Sequence, residues 1–334
     1  MMDNSKRSKG DFEDGGHVDK TQVLQEAKQN FMANTFNTKK LCGILTKCIF
    51  ILMQGERLTS VEATALFFQI TQLFRCKDNT VRRLTYIAIK ALSQQAENVY
   101  VVTASLTKDV NSSIDDPAVR ASALRALCQI SDASTFTSIE RYMRQSVVDK
   151  HPVVASAALT SLIRISQVNT EIVRHCTNEI QEALNSDSPM VQYHALALRY
   201  MSCKNDRLAT LRLLITCIKQ GLKSPLAICL LLKILANYIN ESPANEETKS
   251  YMAYIRDCMN HRSEMVEYEA GNAIVSITKD ASKLQKNSVT AAVSHLRNFL
   301  SSSNSVLRFA AVSSLNESAA KSLNDTRFWS IHRI

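Results

Sequence analysis

DPAVRASA at residues 116–123 and HPVVASAA at 151–158 decide the fold of this chain. Each opens on a polar residue, continues with a proline, sets an aliphatic anchor (Val119, Val154) two places later and ends on a small residue (Ala123, Ala158). Proline in the first helical turn forfeits no hydrogen bond and already has the helical φ. An Asp or Ser before it can accept from an orphan N–H, worth about 1 kcal/mol. The anchor and the alanine lie one turn apart on a single helix face, and the alanine allows a neighbour to come close. Both stretches predict the start of a helix packed tightly against others.

A looser form of the pattern, a short polar turn and then an aliphatic residue followed four later by a small or apolar one, recurs on either side. It reads DNTVRRLT around Val81, SPMVQYHA around Val191, SPLAICLL around Ala227, SEMVEYEA around Val266 and SNSVLRFA around Leu307. Pro117, Pro152, Pro189 and Pro225 occupy the first-turn position, while Ala195, Ala270 and Ala311 repeat the small residue. Successive anchors lie between 35 residues (Val119 to Val154) and 41 residues (Val266 to Leu307) apart, the period of a two-helix HEAT or armadillo unit. One such helix pair cannot bury its own apolar face, but a stack of them can. The predicted fold is all-α, a right-handed α-solenoid of HEAT/armadillo-like antiparallel helix pairs over residues 21–322. Residues 1–20 mix both charge signs with glycines and are expected to be a disordered tail. Residues 323–334 lose the pattern and end on Phe328 and Trp329, so the array is expected to be cut short.

Composition agrees. The 334 residues are 45% hydrophobic, with only seven glycines and five prolines. Hairpins, barrels and α/β loops need more of both residues, which argues against those folds. The nine cysteines include no C-x-x-C pair, and they read as reduced core thiols of a cytosolic protein. The first twenty residues are too polar for a secretory signal, and no segment reaches the ~20 apolar residues of a membrane span. A soluble protein is expected. The net charge of +9 favours acidic partners or an anionic membrane surface; the basic residues are dispersed, and no nucleic-acid-binding signature accompanies them.

Nothing in the sequence points to catalysis. Phosphate loops, dinucleotide fingerprints, H-E-x-x-H and G-x-S-x-G are all missing, and none of the seven histidines has a metal-spaced neighbour. No catalytic, cofactor or metal site is expected. His194 reads as a structural histidine, and Glu267 and Glu269 are two apart, so on a helix they point to different sides. Binding offers more. In VEATALFFQITQLF (61–74), Leu66, Phe67, Ile70, Leu73 and Phe74 form the core stripe, and Phe68 points the opposite way. Phe68 is either the second buried face of a stacked helix or an exposed anchor. In VRRLTYIAIKAL (81–92), the core arc takes Val81, Leu84, Ala88, Ala91 and Leu92. Arg83, Ile87 and Lys90 then fall on the outer side with Tyr86 beside them, either an interface or a solvated face.

Several further stretches carry a family resemblance: SLTKD (105–109), RALCQISD (125–132), SIERYMRQSVVDK (138–150), VQYHAL (191–196), KNDRLA (204–209), GLKSP (221–225) and EMVEYEAGNAIVSI (264–277). In order, from about residue 21 to 316, the chain resembles the adaptin-like N-terminal trunk of the coatomer gamma subunits of the COPI vesicle coat. The resemblance implies a structural adaptor subunit in Golgi-to-ER and intra-Golgi transport. Its implied partners are the zeta subunit, other coatomer subunits and a GTP-loaded Arf-family GTPase. Its implied location is the cytoplasm and the cytosolic face of Golgi membranes and COPI vesicles. It also implies that the GTPase docks on the first repeats, at Phe67, Phe68, Thr71, Thr80, Arg83, Tyr86, Ile87 and Lys90. Members of the family continue through further repeats, a linker and an appendage, so much of the surface for the zeta subunit is expected to be missing here. The alternative reading is a HEAT-repeat scaffold or a karyopherin-like transport factor.

Overall fold

The computed structural model describes residues 19–33, 37–55, 57–111, 116–132, 135–241, 246–277 and 286–323, so nearly all of both expected tails lies outside the described residues. Every regular element among the described residues is helical. The chain divides into two compact units, residues 1–161 and 162–334, and the division falls within α8.

The first unit contains α1 (Lys20–Phe31), α2 (Thr38–Met53), α3 (Ser60–Thr71), α4 (Asn79–Leu92), α5 (Thr103–Asn111), α6 (Pro117–Ile130), α7 (Phe136–Val147) and the start of α8 (Pro152–Ile165). Helix α2 packs on α4 and α4 on α6, while α1 touches α2 and α3, and α5 touches α6 and α7. The second unit contains α9 (Thr170–His175), α10 (Thr177–Leu184), α11 (Pro189–Cys203), α12 (Arg207–Gln220), α13 (Pro225–Glu241), α14 (Glu246–Cys258), α15 (Glu264–Ser276), α16 (Lys286–Asn298) and α17 (Ser305–Leu323). Here α11, α13, α15 and α17 pack on one another in succession; α12 lies against α11 and α13, α14 against α13 and α15, and α16 against α15 and α17. Each unit is thus a stack of helix pairs.

All seven repeated motifs begin helices: α4, α6, α8, α11, α13, α15 and α17. Their anchors Val81, Val119, Val154, Ala227 and Val266 are fully buried, Val191 is nearly so, and Leu307 is half-buried. Ala123, Ala158, Ala195, Ala270 and Ala311 are all fully buried. The caps are mixed. Asp78 accepts from the Val81 N–H at 2.9 Å, Asp116 from that of Ala118 at 2.8 Å and Ser224 from that of Ala227 at 3.3 Å. The Ser188 and Ser263 side chains cap nothing, so serine at this position does not guarantee the bond. Gly221 ends α12 at φ 72°, a backbone conformation costly to any side chain with a Cβ.

Burial in the repeat helices is broad because each meets neighbours on more than one side. In α13, Ile228, Leu231, Leu232, Ile234, Leu235 and Ile239 are all core, contributing about 1.5–3 kcal/mol each through removal from water. In α15, Gly271 lets α16 come so near that an added Cβ would stand 3.3 Å from the Leu296 Cγ. Stack and core are one thing here.

Candidate functional site

The residues singled out for docking lie on α3 and α4, which pack against each other in the first unit. Helix α3 starts on a complete capping box: Thr59 Oγ1 accepts from the Glu62 N–H, and the Glu62 carboxylate accepts from the Thr59 N–H. Lys20 of α1 pairs with the same carboxylate at 2.8 Å. With the start fixed, the 3.6-residue period sends Leu66, Phe67 and Ile70 inward and leaves Phe68 outward, 41% exposed. The Phe68 ring meets the buried Phe67 ring edge-on at 6.1 Å. The Thr71 hydroxyl, one turn on, donates to the Phe68 carbonyl at 2.6 Å.

On α4, Asp78 sets the start, and Thr80, Arg83 and Ile87 follow at helical spacing on the exposed side, with Lys90 half-buried. Ile87 is 43% exposed, a large share for a β-branched residue in a stacked helix. Phe68, Thr71, Thr80, Arg83, Ile87 and Lys90 therefore all reach solvent at least in part.

Phe67 and Tyr86 do not: both are buried, at 0% and 1% exposure. Tyr86 does not lie beside the outer stripe of α4, where its helical position would place it. Its hydroxyl donates to Asp109 of α5 at 2.7 Å and accepts from Arg82 Nε at 3.2 Å. Arg82 in turn pairs with Asp109 at 2.5 Å. Burial, then the Asp109 carboxylate, raise the Tyr86 pKa above its ordinary value and keep the phenol protonated. A buried ring with a satisfied hydroxyl is more stable than an exposed one. The core arc of α4 also differs from the expected one. Thr85, Tyr86 and Ile89 join Val81, Ala88 and Leu92 inside, while Leu84 and Ala91 are only half-buried. Helix α4 is covered on several sides, by α2, α3 and α6, and a single-stripe projection allows for only one. Asp109 went unrecognised in the sequence because nothing in SLTKD signals a buried acid whose partners lie some twenty residues away.

The other chemical candidates take structural places. Glu267 faces His295 Nδ1 at 3.1 Å, whereas the buried Glu269 faces Lys233 at 3.7 Å and Asn272 at 3.4 Å, so the two carboxylates do not form a pair. His194 is half-buried and meets Tyr193 edge-on at 5.4 Å. All nine cysteines are free thiols and all but Cys42 are buried. Burial pushes Cys48 up to about 12 and Cys217 and Cys229 up to about 11, so they remain protonated and poorly nucleophilic at neutral pH. Among the described residues no cluster of His, Cys, Asp and Glu is arranged to hold a metal, and no helix is long and apolar enough to cross a membrane. The α3–α4 face thus presents the exposed Phe68 and Ile87 beside the exposed Arg83 and the half-buried Lys90.

Comparison with known proteins places this geometry in context. The family model for the adaptin N terminal region matches residues 19–328. Human coatomer subunit gamma-1 is 42% identical over 322 residues, covering 95% of this chain and 36% of that protein. Coatomer subunit gamma of Drosophila melanogaster is 44% identical over 306 residues, and coatomer subunit gamma-2 of Oryza sativa subsp. japonica 43% over 305, each covering 91% of this chain and 34% of the relative. The chain thus spans about a third of the length of the curated relatives it matches. Among solved structures, a homology model of the full-length AP-3 complex in an intermediate open conformation has a similar fold, with a TM-score of 0.66 at 19% identity over 88% of this chain and 51% of that one.

Proposed function

The chain belongs to the adaptin N-terminal family, and from that membership we propose that it acts as a structural adaptor of the COPI vesicle coat, by binding proteins and not by catalysis. The observation that carries the reading is identity of 42–44% to coatomer gamma subunits across more than nine-tenths of this chain. On this reading it joins other coatomer subunits, the zeta subunit among them. It works from the cytoplasm at the Golgi face and serves Golgi-to-ER and intra-Golgi transport.

A GTP-loaded Arf-family GTPase docks on the α3–α4 face. Phe68 and Ile87 supply exposed apolar area, and Arg83 and Lys90 supply a cationic rim, the composition of a contact centre and its edge. Phe67 and Tyr86 contribute by holding the face in shape from within. The switch belongs to the GTPase, and this chain reads only its GTP-bound form.

The test is capture of the purified chain by an Arf-family GTPase loaded with a non-hydrolysable GTP analogue or with GDP. Retention with the GTP analogue alone, lost in a Phe68→Ala/Arg83→Glu variant, is the expected result. Equal retention in both nucleotide states refutes the docking proposal, and retention that survives the double substitution moves the site elsewhere on the trunk.

A further inference from the structure

The second unit holds a cleft of about 300 Å³ where the end of α11, the start of α12 and the last turns of α13 meet. Its buried side chains are Ile234 and Tyr238 of α13, at 2% and 9% exposure, and Thr210 of α12, at 6%. Lys204, in the α11–α12 turn, and Arg207, the first residue of α12, line the same cleft and are exposed. The Arg207 guanidinium lies 5.6 Å from the centroid of the Tyr238 ring, cation against aromatic face. Among the described residues neither cation is held in an ion pair, although each has a long, flexible reach.

The edge that carries them is tied by hydrogen bonds. The Asp206 N–H donates to the Cys203 carbonyl at 2.8 Å, and the Thr210 hydroxyl donates to the same carbonyl at 2.9 Å. The Asp206 carboxylate accepts from the Leu208 and Ala209 N–H groups at 2.9 and 3.1 Å. On the α13 side, Asn237 and Glu241 stand one turn apart along the cleft. One part of the cleft is therefore cationic, the base is apolar and aromatic, and the α13 side offers a carboxamide and then a negative charge.

We propose that this cleft binds a short acidic and apolar segment of a partner protein, with a carboxylate between Lys204 and Arg207 and the adjacent apolar side chain against the edge of the Tyr238 ring that Arg207 leaves open. Asn237 is placed to hydrogen-bond the segment's backbone. A carboxylate fits better than a phosphate for two reasons. The first amides of α12 already serve Asp206, so the helix start offers no anion cradle. Glu241 in the same cleft also repels a dianion more strongly than a single negative charge. The proposal stands apart from the coat reading and from the α3–α4 face.

The test uses the whole chain and a fluorescein-labelled, amidated peptide Gly-Leu-Glu-Leu-Gly, read by fluorescence anisotropy at low salt. Lys204→Glu/Arg207→Glu should weaken binding at least about ten-fold, the scale of a lost charge-assisted contact, as should replacing the peptide's Glu by Gln. Glu241→Gln should strengthen it. All substituted side chains are exposed, and an unchanged melting temperature in each variant confirms that the fold is intact. Equal binding by the double variant or by the Gln peptide overturns the proposal, as does failure of the acidic peptide to saturate at millimolar concentration. Displacement by inorganic phosphate at lower concentration than by acetate overturns the preference for carboxylate.

Discussion

Gln192, the second residue of VQYHAL, is 3% exposed and joins three segments through one carboxamide. Its Nε2 donates to the Leu184 carbonyl at the end of α10 at 3.0 Å, and its Oε1 accepts from the Lys223 and Ser224 N–H groups ahead of α13 at 3.0 and 2.8 Å. Gln192→Leu keeps the volume and orphans those three backbone groups, so it should cost about 3 kcal/mol in urea denaturation, at the upper end for buried unsatisfied polar atoms. A loss below about 0.5 kcal/mol would mean that water replaces the carboxamide. Glu269 makes a prediction of opposite sign. Burial raises its pKa above the ordinary 4.5, against smaller lowering contributions from Lys233 and Asn272. The folded state thus binds the proton more tightly than the unfolded chain does. The resulting stability is fully present below pH 4.5 and is lost as pH rises through the raised value. Glu269→Gln should consequently become more stable relative to the parent as pH rises from 4 to 7.5. A difference that stays flat across that range rules out the linkage.

Among the elements, α11 and α17 show how position in a stack changes what a helix face tolerates. Ala195 of α11 is fully buried, and Ala195→Leu forces extra methylenes into close-packed space, for an expected loss of about 1–3 kcal/mol. Helix α17 buries Ala311 and Ser314 but leaves Val306, Phe309 and Val312 at 71, 76 and 55% exposure. Phe309→Ser should therefore change stability by no more than about 0.5 kcal/mol, since little of the ring has left water. Thermal melts of the two variants make the comparison, and a larger loss for Phe309→Ser would show that its ring is covered in solution. The motif that opens both helices is the same. What differs is how many neighbours each one has.

Across the whole molecule, stability and docking should separate cleanly on α3 and α4. Tyr86→Phe removes a hydroxyl shared by Asp109 and Arg82, so it should lower stability by about 1–2 kcal/mol in denaturant while leaving the exposed face in place. Ile87→Glu should do the reverse, with a melting temperature close to the parent's and loss of GTPase capture; capture unaffected by Ile87→Glu would remove that residue from the proposed contact. The repeat itself was legible in the chain. A polar turn, in four cases with proline behind it, and an aliphatic anchor followed one turn later by a small or apolar residue are local instructions, and their spacing of 35 to 41 residues determined the helical class and the start of every motif-bearing helix. Local spacing also found Phe68 and Ile87, because each departs from its own helix's apolar stripe. Tyr86, Asp109, Gln192 and the cleft beside Arg207 had no such signature. Their partners lie up to some thirty residues away in the chain, so only the packing of one helix against another decides whether a polar atom is satisfied inside or left to solvent.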